Sequence, residues 1–144
     1  MSTSNEAWRI VANECLAGRA RRLSRVITSL YDQALQPYGL KLNQVTIMVI
    51  ILKLGEVSPK QVGAYLQMEK STVSRSLDRM QKNGWVEVVD NSEGAGQIVR
   101  VTALGKQLLS DAYGHWKMAQ KKALDLVGEE GAMALRALAD RVRP

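Results

Sequence analysis

The stretch KSTVSRSLDRMQK, Lys70 to Lys82, concentrates side chains able to handle nucleic acid. Four basic residues, Lys70, Arg75, Arg79 and Lys82, stand against one acid, Asp78, a local charge of +3. Ser71, Thr72 and Ser74 place short hydroxyls at its start. Arginine reads guanine through two hydrogen bonds in the major groove, and serine or threonine bonds a base edge or a phosphate. At helical spacing Val73, Leu77 and Met80 share one face, and Ser71, Arg75, Asp78 and Lys82 the opposite one. Arg79 and Thr72 flank the polar face on one side and Ser74 on the other. An apolar side that packs inward and a polar side that is presented are what a recognition helix needs. A solvated helix face carries ordinary charges too, so the weight of the reading rests on the surrounding elements.

Little else in the chain offers chemistry. Cys15 is the only cysteine and His115 the only histidine, which leaves no internal disulfide, four-cysteine zinc site or multi-histidine metal site. There is no P-loop, no GxGxxG after a strand, no HExxH and no evident carboxylate pair. An enzyme is not expected, nor is a metal or cofactor. Arg19 follows Cys15 by one helical turn, and Gly18 leaves space beside it. A guanidinium there favours the thiolate that a peroxide sensor needs. A buried, inert thiol is the commoner fate of a free cysteine and is the expectation.

The elements that must position these residues are marked by caps and breakers. Trp8, Val11, Cys15, Leu23, Val26, Ile27 and Leu30 recur at three- and four-residue steps, predicting one amphipathic helix from Glu6 to about Leu35. Pro37 and Gly39 end it. Asn43 is the expected cap of a second helix, Gln44 to Leu54, closed by Gly55. Its VTIMVII core also suits a strand, but length and cap favour a helix, apolar nearly all round and so buried. Ser58-Pro59-Lys60-Gln61 combines a capping serine, proline at the first helical position and a glutamine that closes a capping box. That predicts a third helix from Pro59 to about Leu66. The basic helix follows after Gln67-Met68 and stops at Gly84. Valine-rich runs at Trp85–Asp90 and Gln97–Thr102, separated by NSEGAG, predict a hairpin. Thr102 is placed to cap a long helix to Val127. Gly128 breaks it, and a last helix runs from about Glu129 to Val142.

A helix-turn-helix followed by a hairpin wing rarely arises by chance around a Ser/Thr-rich basic helix. The fold class expected is mainly α with a small β-hairpin wing. At 144 residues with 46% hydrophobic and 24% charged side chains, the chain can build a core of its own. Its net charge of +6 suits a polyanion. The longest apolar run, Val45 to Leu52, is broken by Thr46 and too short for a membrane span. The start MSTSNEAWRI lacks the pattern of a secretory signal, so a cytoplasmic location is expected.

MEKSTVSRSLDRMQKNGWVEV, the return strand with VTALGK, and LYDQALQPYGLKLNQVTIMVIILKLGEVSPKQVGAYL together resemble the MarR family of transcriptional regulators. The resemblance covers most of the chain, treated as one domain over residues 1–144. It implies a winged core at about 43–102 and helical dimerisation regions at about 6–36 and 103–142. It implies a homodimer that binds double-stranded DNA at a palindromic operator, as a repressor, and that releases it when a small aromatic or lipophilic ligand binds. By position, Ser71, Thr72, Ser74 and Arg75 match DNA-contacting residues, with Arg79 toward the backbone and Lys70 and Lys82 beside them. Tyr38, Met48, His115 and Trp116 are the candidate pocket residues. Some members sense oxidants through a cysteine, the role open to Cys15. A winged helix used only for protein–protein contact is the other alternative. Family members commonly carry an arginine at the wing tip. Here Glu93 is followed by Gly94, Ala95 and Gly96, and Arg100 lies too far along the return strand. An arginine-free tip implies weak minor-groove contact, and Asp78 is expected to pair with Arg75 and Lys82.

Overall fold

In the computed structural model, which describes residues 3–143, six helices and one antiparallel hairpin follow one another. Helix α1 is Thr3–Glu14, α2 Leu16–Leu35, α3 Leu42–Leu54, α4 Pro59–Leu66, α5 Lys70–Lys82 and α6 Ala103–Arg141; strands β1 and β2 are Val86–Asp90 and Gln97–Val101. A 3₁₀ turn over Gln36–Tyr38 carries Pro37, and Gly39 closes it at φ 67°. The helix thus ends where proline and glycine signal that it should.

The first helix is not continuous. Cys15 is extended, at φ −63° and ψ 112°, and splits α1 from α2. Its N–H still bonds the Val11 carbonyl at 3.0 Å, so it closes α1. No proline or glycine marks the break, and the apolar spacing runs through it. Every side chain from Glu6 to Glu14 is exposed, so within one chain no packing holds α1 in line with α2. The second difference is the start of α3. Asn43 is not its cap. The Asp32 carboxylate reaches from α2 to accept from the Leu42 N–H at 2.7 Å, and the Gln44 side chain accepts from the Lys41 N–H at 3.0 Å. A carboxylate satisfies a free helical N–H more strongly than a neutral cap. Asn43 instead donates to Ser76 Oγ at 3.3 Å, tying α3 to the basic helix. Helix α3 is also buried on one side only: Val45, Ile47, Met48 and Ile51 are inside, whereas Val49 and Leu52 are exposed.

The remaining signals hold locally. Ser58 Oγ accepts from the Gln61 N–H at 3.2 Å and Gln61 Oε1 from the Ser58 N–H at 2.9 Å, the reciprocal box that starts α4. The turn into α5 passes through Gln67 in the left-handed region, φ 55°. The strands pair from Val86 opposite Val101 to Asp90 opposite Gln97. Val57 adds a bridge to Val99, whose N–H bonds its carbonyl at 2.9 Å, so the hairpin is anchored to the loop before α4. Thr102 Oγ1 accepts from the Gly105 N–H at 3.1 Å and donates to the Gly84 carbonyl at 2.6 Å, fastening the end of α5 to the start of α6. Gly105 sits so close to this joint that a Cβ would lie 2.2 Å from the Trp85 carbonyl oxygen. Gly128, at φ 72° and ψ 173°, breaks α6 where expected.

The core lies between α2, α3, α4, α5 and the hairpin, with Leu35, Leu40, Ile47, Met48, Val62, Met80 and Val99 fully enclosed. Above it α2 packs along α6 over Ala112, Ala119 and Ala123, small residues that let two helices approach. Among the described residues no helix is long and apolar enough to cross a membrane.

Candidate nucleic-acid interface

Helix α5 is fixed by its inner face. Val73, Leu77 and Met80 are buried as spaced, with Met80 fully enclosed. Their burial turns Ser71, Ser74, Arg75, Asp78, Arg79 and Lys82 to solvent, with Lys70 exposed at the start and Thr72 half-buried. The first backbone bond within the helix runs from the Val73 N–H to the Glu69 carbonyl, and no side chain caps the end. The N–H groups of the first turn are therefore open to an acceptor such as a phosphate oxygen.

The exposed residues divide into two groups. Lys70, Ser74 and Asp78 line a cavity of about 780 Å³ between α4, α5 and the hairpin, with Lys60, Gln81 and Gln97 at its edge and Val73, Leu77 and Val88 in its floor. Ser71, Thr72, Arg75, Arg79 and Lys82 are outside it. Asp78 forms no ion pair with Arg75 or Lys82, contrary to expectation: the ion pairs found among the described residues are Arg100–Glu56 and Arg143–Asp140. The reason is exposure. All three side chains are in water, where such a pair gains little against the entropy of holding two long side chains. Among the described residues nothing else pairs with Arg75 or Lys82, which leaves both to an external anion.

The wing tip is an exposed turn held by Asn91, whose side chain accepts from the Glu93 N–H at 3.1 Å and whose N–H bonds the Gly96 carbonyl at 3.0 Å. Arg100 lies opposite Glu87, three pairs back from the tip pair. It is held at the hairpin base by Glu56 at 3.5 Å.

The four pocket candidates are not all brought together. Tyr38 OH and His115 Nδ1 are 3.1 Å apart, with rings edge-on at 5.1 Å. Trp116, next along α6, lies between Tyr31 at 6.2 Å and the stacked ring of Tyr113 at 6.0 Å. The Tyr31 hydroxyl donates to Gln120, and burial raises its phenol above the usual range. Met48 is plain core. None of the four lines the cavity beside α5 or the shallow one of about 320 Å³ along α2. Cys15, expected to be buried, is exposed in the single chain, as is every residue from Glu6 to Arg22, because no other element covers this stretch. Arg19 donates to its carbonyl oxygen at 3.1 Å instead of facing the thiol. Asn43, Ser76, Asp32 and Val57 support the site without any local sequence signal, because each acts through a residue distant in sequence.

A capped helix, a left-handed turn, a basic helix with one buried face and an anchored hairpin define a winged helix-turn-helix protein. Residues 38–97 of the chain match the model of the MarR family. The chain is similar to YwoH of Bacillus subtilis (strain 168), an uncharacterized HTH-type transcriptional regulator, with 27% identity over 90 residues. That match covers 62% of this chain and 66% of the relative, just under two thirds of its length. The M. tuberculosis transcriptional regulator MosR, solved in complex with DNA, is 28% identical with a TM-score of 0.76, covering 90% of this chain and 94% of that one. E. coli MarR complexed with operator DNA shares the fold, with a TM-score of 0.80 over 94% and 98% of the two chains at 18% identity.

Proposed function

We propose that the chain is a sequence-specific transcriptional regulator that binds a palindromic operator as a homodimer, represses, and responds to a small aromatic or lipophilic effector. The observation that carries this is the presented face of α5. There Ser71, Arg75, Arg79 and Lys82 are exposed around a fully buried inner face, and the three bases are in no ion pair among the described residues. The DNA complexes of MosR and MarR support it. Exposed apolar side chains on α1 and at the end of α6 support the dimer: Trp8, Val11, Met133, Leu138 and Val142 are each more than half exposed in one chain. Large apolar patches of this kind mark an interface. A two-fold dimer sets its recognition helices about 34 Å apart, one turn of DNA.

Selection of binding sites from random duplexes, followed by gel shift against competitor DNA, tests the reading. Half-sites one turn apart and retardation that survives competitor are expected. No selected sequence and no specific retardation would instead leave a protein-contact module. For the effector, Tyr38, His115 and Trp116 at the α2–α6 seam offer aromatic contacts. A ligand weakens DNA binding only by its preference for the DNA-incompetent state. Calorimetry with salicylate-like acids, with and without operator, is expected to show weaker binding to the complex. Indifference to DNA would contradict the switch.

The exposed thiol at the α1–α2 break favours a second reading, an oxidation switch at Cys15. Peroxide that releases operator from the native protein but not from Cys15→Ser would select it over the effector reading.

A further inference from the structure

The most concentrated positive charge in the chain is not on α5. From Leu16 to Thr28, α2 carries Arg19, Arg21, Arg22 and Arg25 and no acid, a local charge of +4. All four are exposed and none is in an ion pair among the described residues. The spacings 19–22, 22–25 and 21–25 place like charges one helical turn apart, which works against the helix. A helix that carries such repulsion is relieved by an anionic partner along that face.

Complementary charge occurs elsewhere in the chain. From Ala123 to Leu135, α6 carries Asp125, Glu129 and Glu130 and no base, a local charge of −3. These too are exposed and in no ion pair among the described residues. Both segments are flanked by uncovered apolar side chains, Leu16 at 81% and Val26 at 46% on α2, Leu126 at 52% and Met133 at 63% on α6.

The register sets Arg25 level with the start of the acidic segment. Tyr31 bonds Gln120 and Tyr38 bonds His115, so α2 and α6 run antiparallel. Up to the break at Gly128, equal rise per residue brings Arg25 to the height of Asp125 and Leu126. Within one chain they do not pair, because α2 faces α6 with Ile27 and Tyr31 and turns its arginines away. A second copy carries the same two segments, so each arginine stripe can meet an acidic one across the two-fold.

We propose that Arg19, Arg21, Arg22 and Arg25 of each protomer pair with Asp125, Glu129 and Glu130 of a second copy. Apolar burial then drives association and these charges fix its register. The pairing rests on the dimer reading above and specifies the chemistry of its interface.

Reciprocal charge reversal in the full chain tests it, with the dimer dissociation constant read by sedimentation and helicity by circular dichroism. Arg22→Glu with Arg25→Glu, and separately Glu129→Lys with Glu130→Lys, are each expected to weaken the dimer at least about tenfold. The four changes together are expected to restore it to within about threefold of the native value. A native chain that is monomeric overturns the dimer reading itself. A native dimer that neither reversal weakens, or a fourfold variant weaker than both, overturns the pairing alone. An unchanged dimer with weaker retention of non-specific duplex also overturns it, and makes the stripe a polyanion surface.

Discussion

The winged core and the helical arm are built from the same kinds of residue and differ in what covers them. In the core, Val73, Leu77, Met80, Val86 and Val99 are enclosed by neighbours of the same chain. In the arm, Trp8, Leu16, Met133 and Leu138 are exposed although their spacing is equally regular. Amphipathic periodicity says that a face will be buried and leaves open by whom. The core is completed by one chain, whereas the apolar face of the arm is left uncovered by it. Substitutions in the two regions should therefore be sensed by different measurements.

The largest contrast concerns stability. Met80→Ala empties a fully enclosed site and is expected to cost about 2–5 kcal/mol in denaturant unfolding. Leu138→Ala, on an exposed position, should change unfolding of the isolated chain by less than about 0.5 kcal/mol and act on self-association instead. Equal losses in unfolding, with association unchanged in both, would break the contrast.

Next is the DNA face. Arg75→Ala is expected to weaken operator binding by about 1–3 kcal/mol while altering non-specific binding much less, if Arg75 reads a base. Equal loss on all sequences would make it a phosphate contact. The wing should respond more gently. With Glu93 and no arginine at the tip, salt dependence is expected to be shallow. Ala95→Arg should steepen the slope of log K against log salt by about 0.9 for each additional phosphate neutralised, counted over both subunits. Ala95 suits the test better than Gly94, where a Cβ would lie 3.2 Å from the Asn91 amide nitrogen. No change in slope, with protected A·T tracts beside the half-sites of the native protein, would contradict the weak minor-groove role of the wing.

The smallest effect is alkaline. Burial raises the Tyr31 phenol above its ordinary value of 10.0, so the folded state holds this proton more tightly than the unfolded chain. Its contribution is complete below about pH 10 and is lost as pH rises through the folded value. Unfolding followed above about pH 10 should therefore show a steeper fall for the native chain than for Tyr31→Phe. Parallel curves would mean that the buried phenol does not govern the decline.

Much of the core was legible because its signals are local. The Ser58–Gln61 box, the spacing of Val73, Leu77 and Met80, the turn-rich wing tip and Gly128 each act within a few residues. The departures come from contacts distant in sequence or from outside the chain. Asp32 caps α3 in place of Asn43 from ten residues away, and Val57 joins a strand forty-two residues on. Cys15 breaks a helix whose apolar spacing continues, since α1 has no neighbour to pack on. At the site, residue types were readable, but the division into Ser74 and Asp78 toward the cavity and Arg75 and Lys82 away from it required the hairpin in place.

The central claim, that paired α5 helices read an operator, is tested most directly by methylation interference at guanine N7 on the selected site. Two major-groove clusters one turn apart, in which methylation blocks binding, are the predicted result, with loss of that interference at one guanine per half-site in Arg75→Ala. A native protein that binds all duplexes alike, with no methylated guanine excluded from the complex, would contradict it.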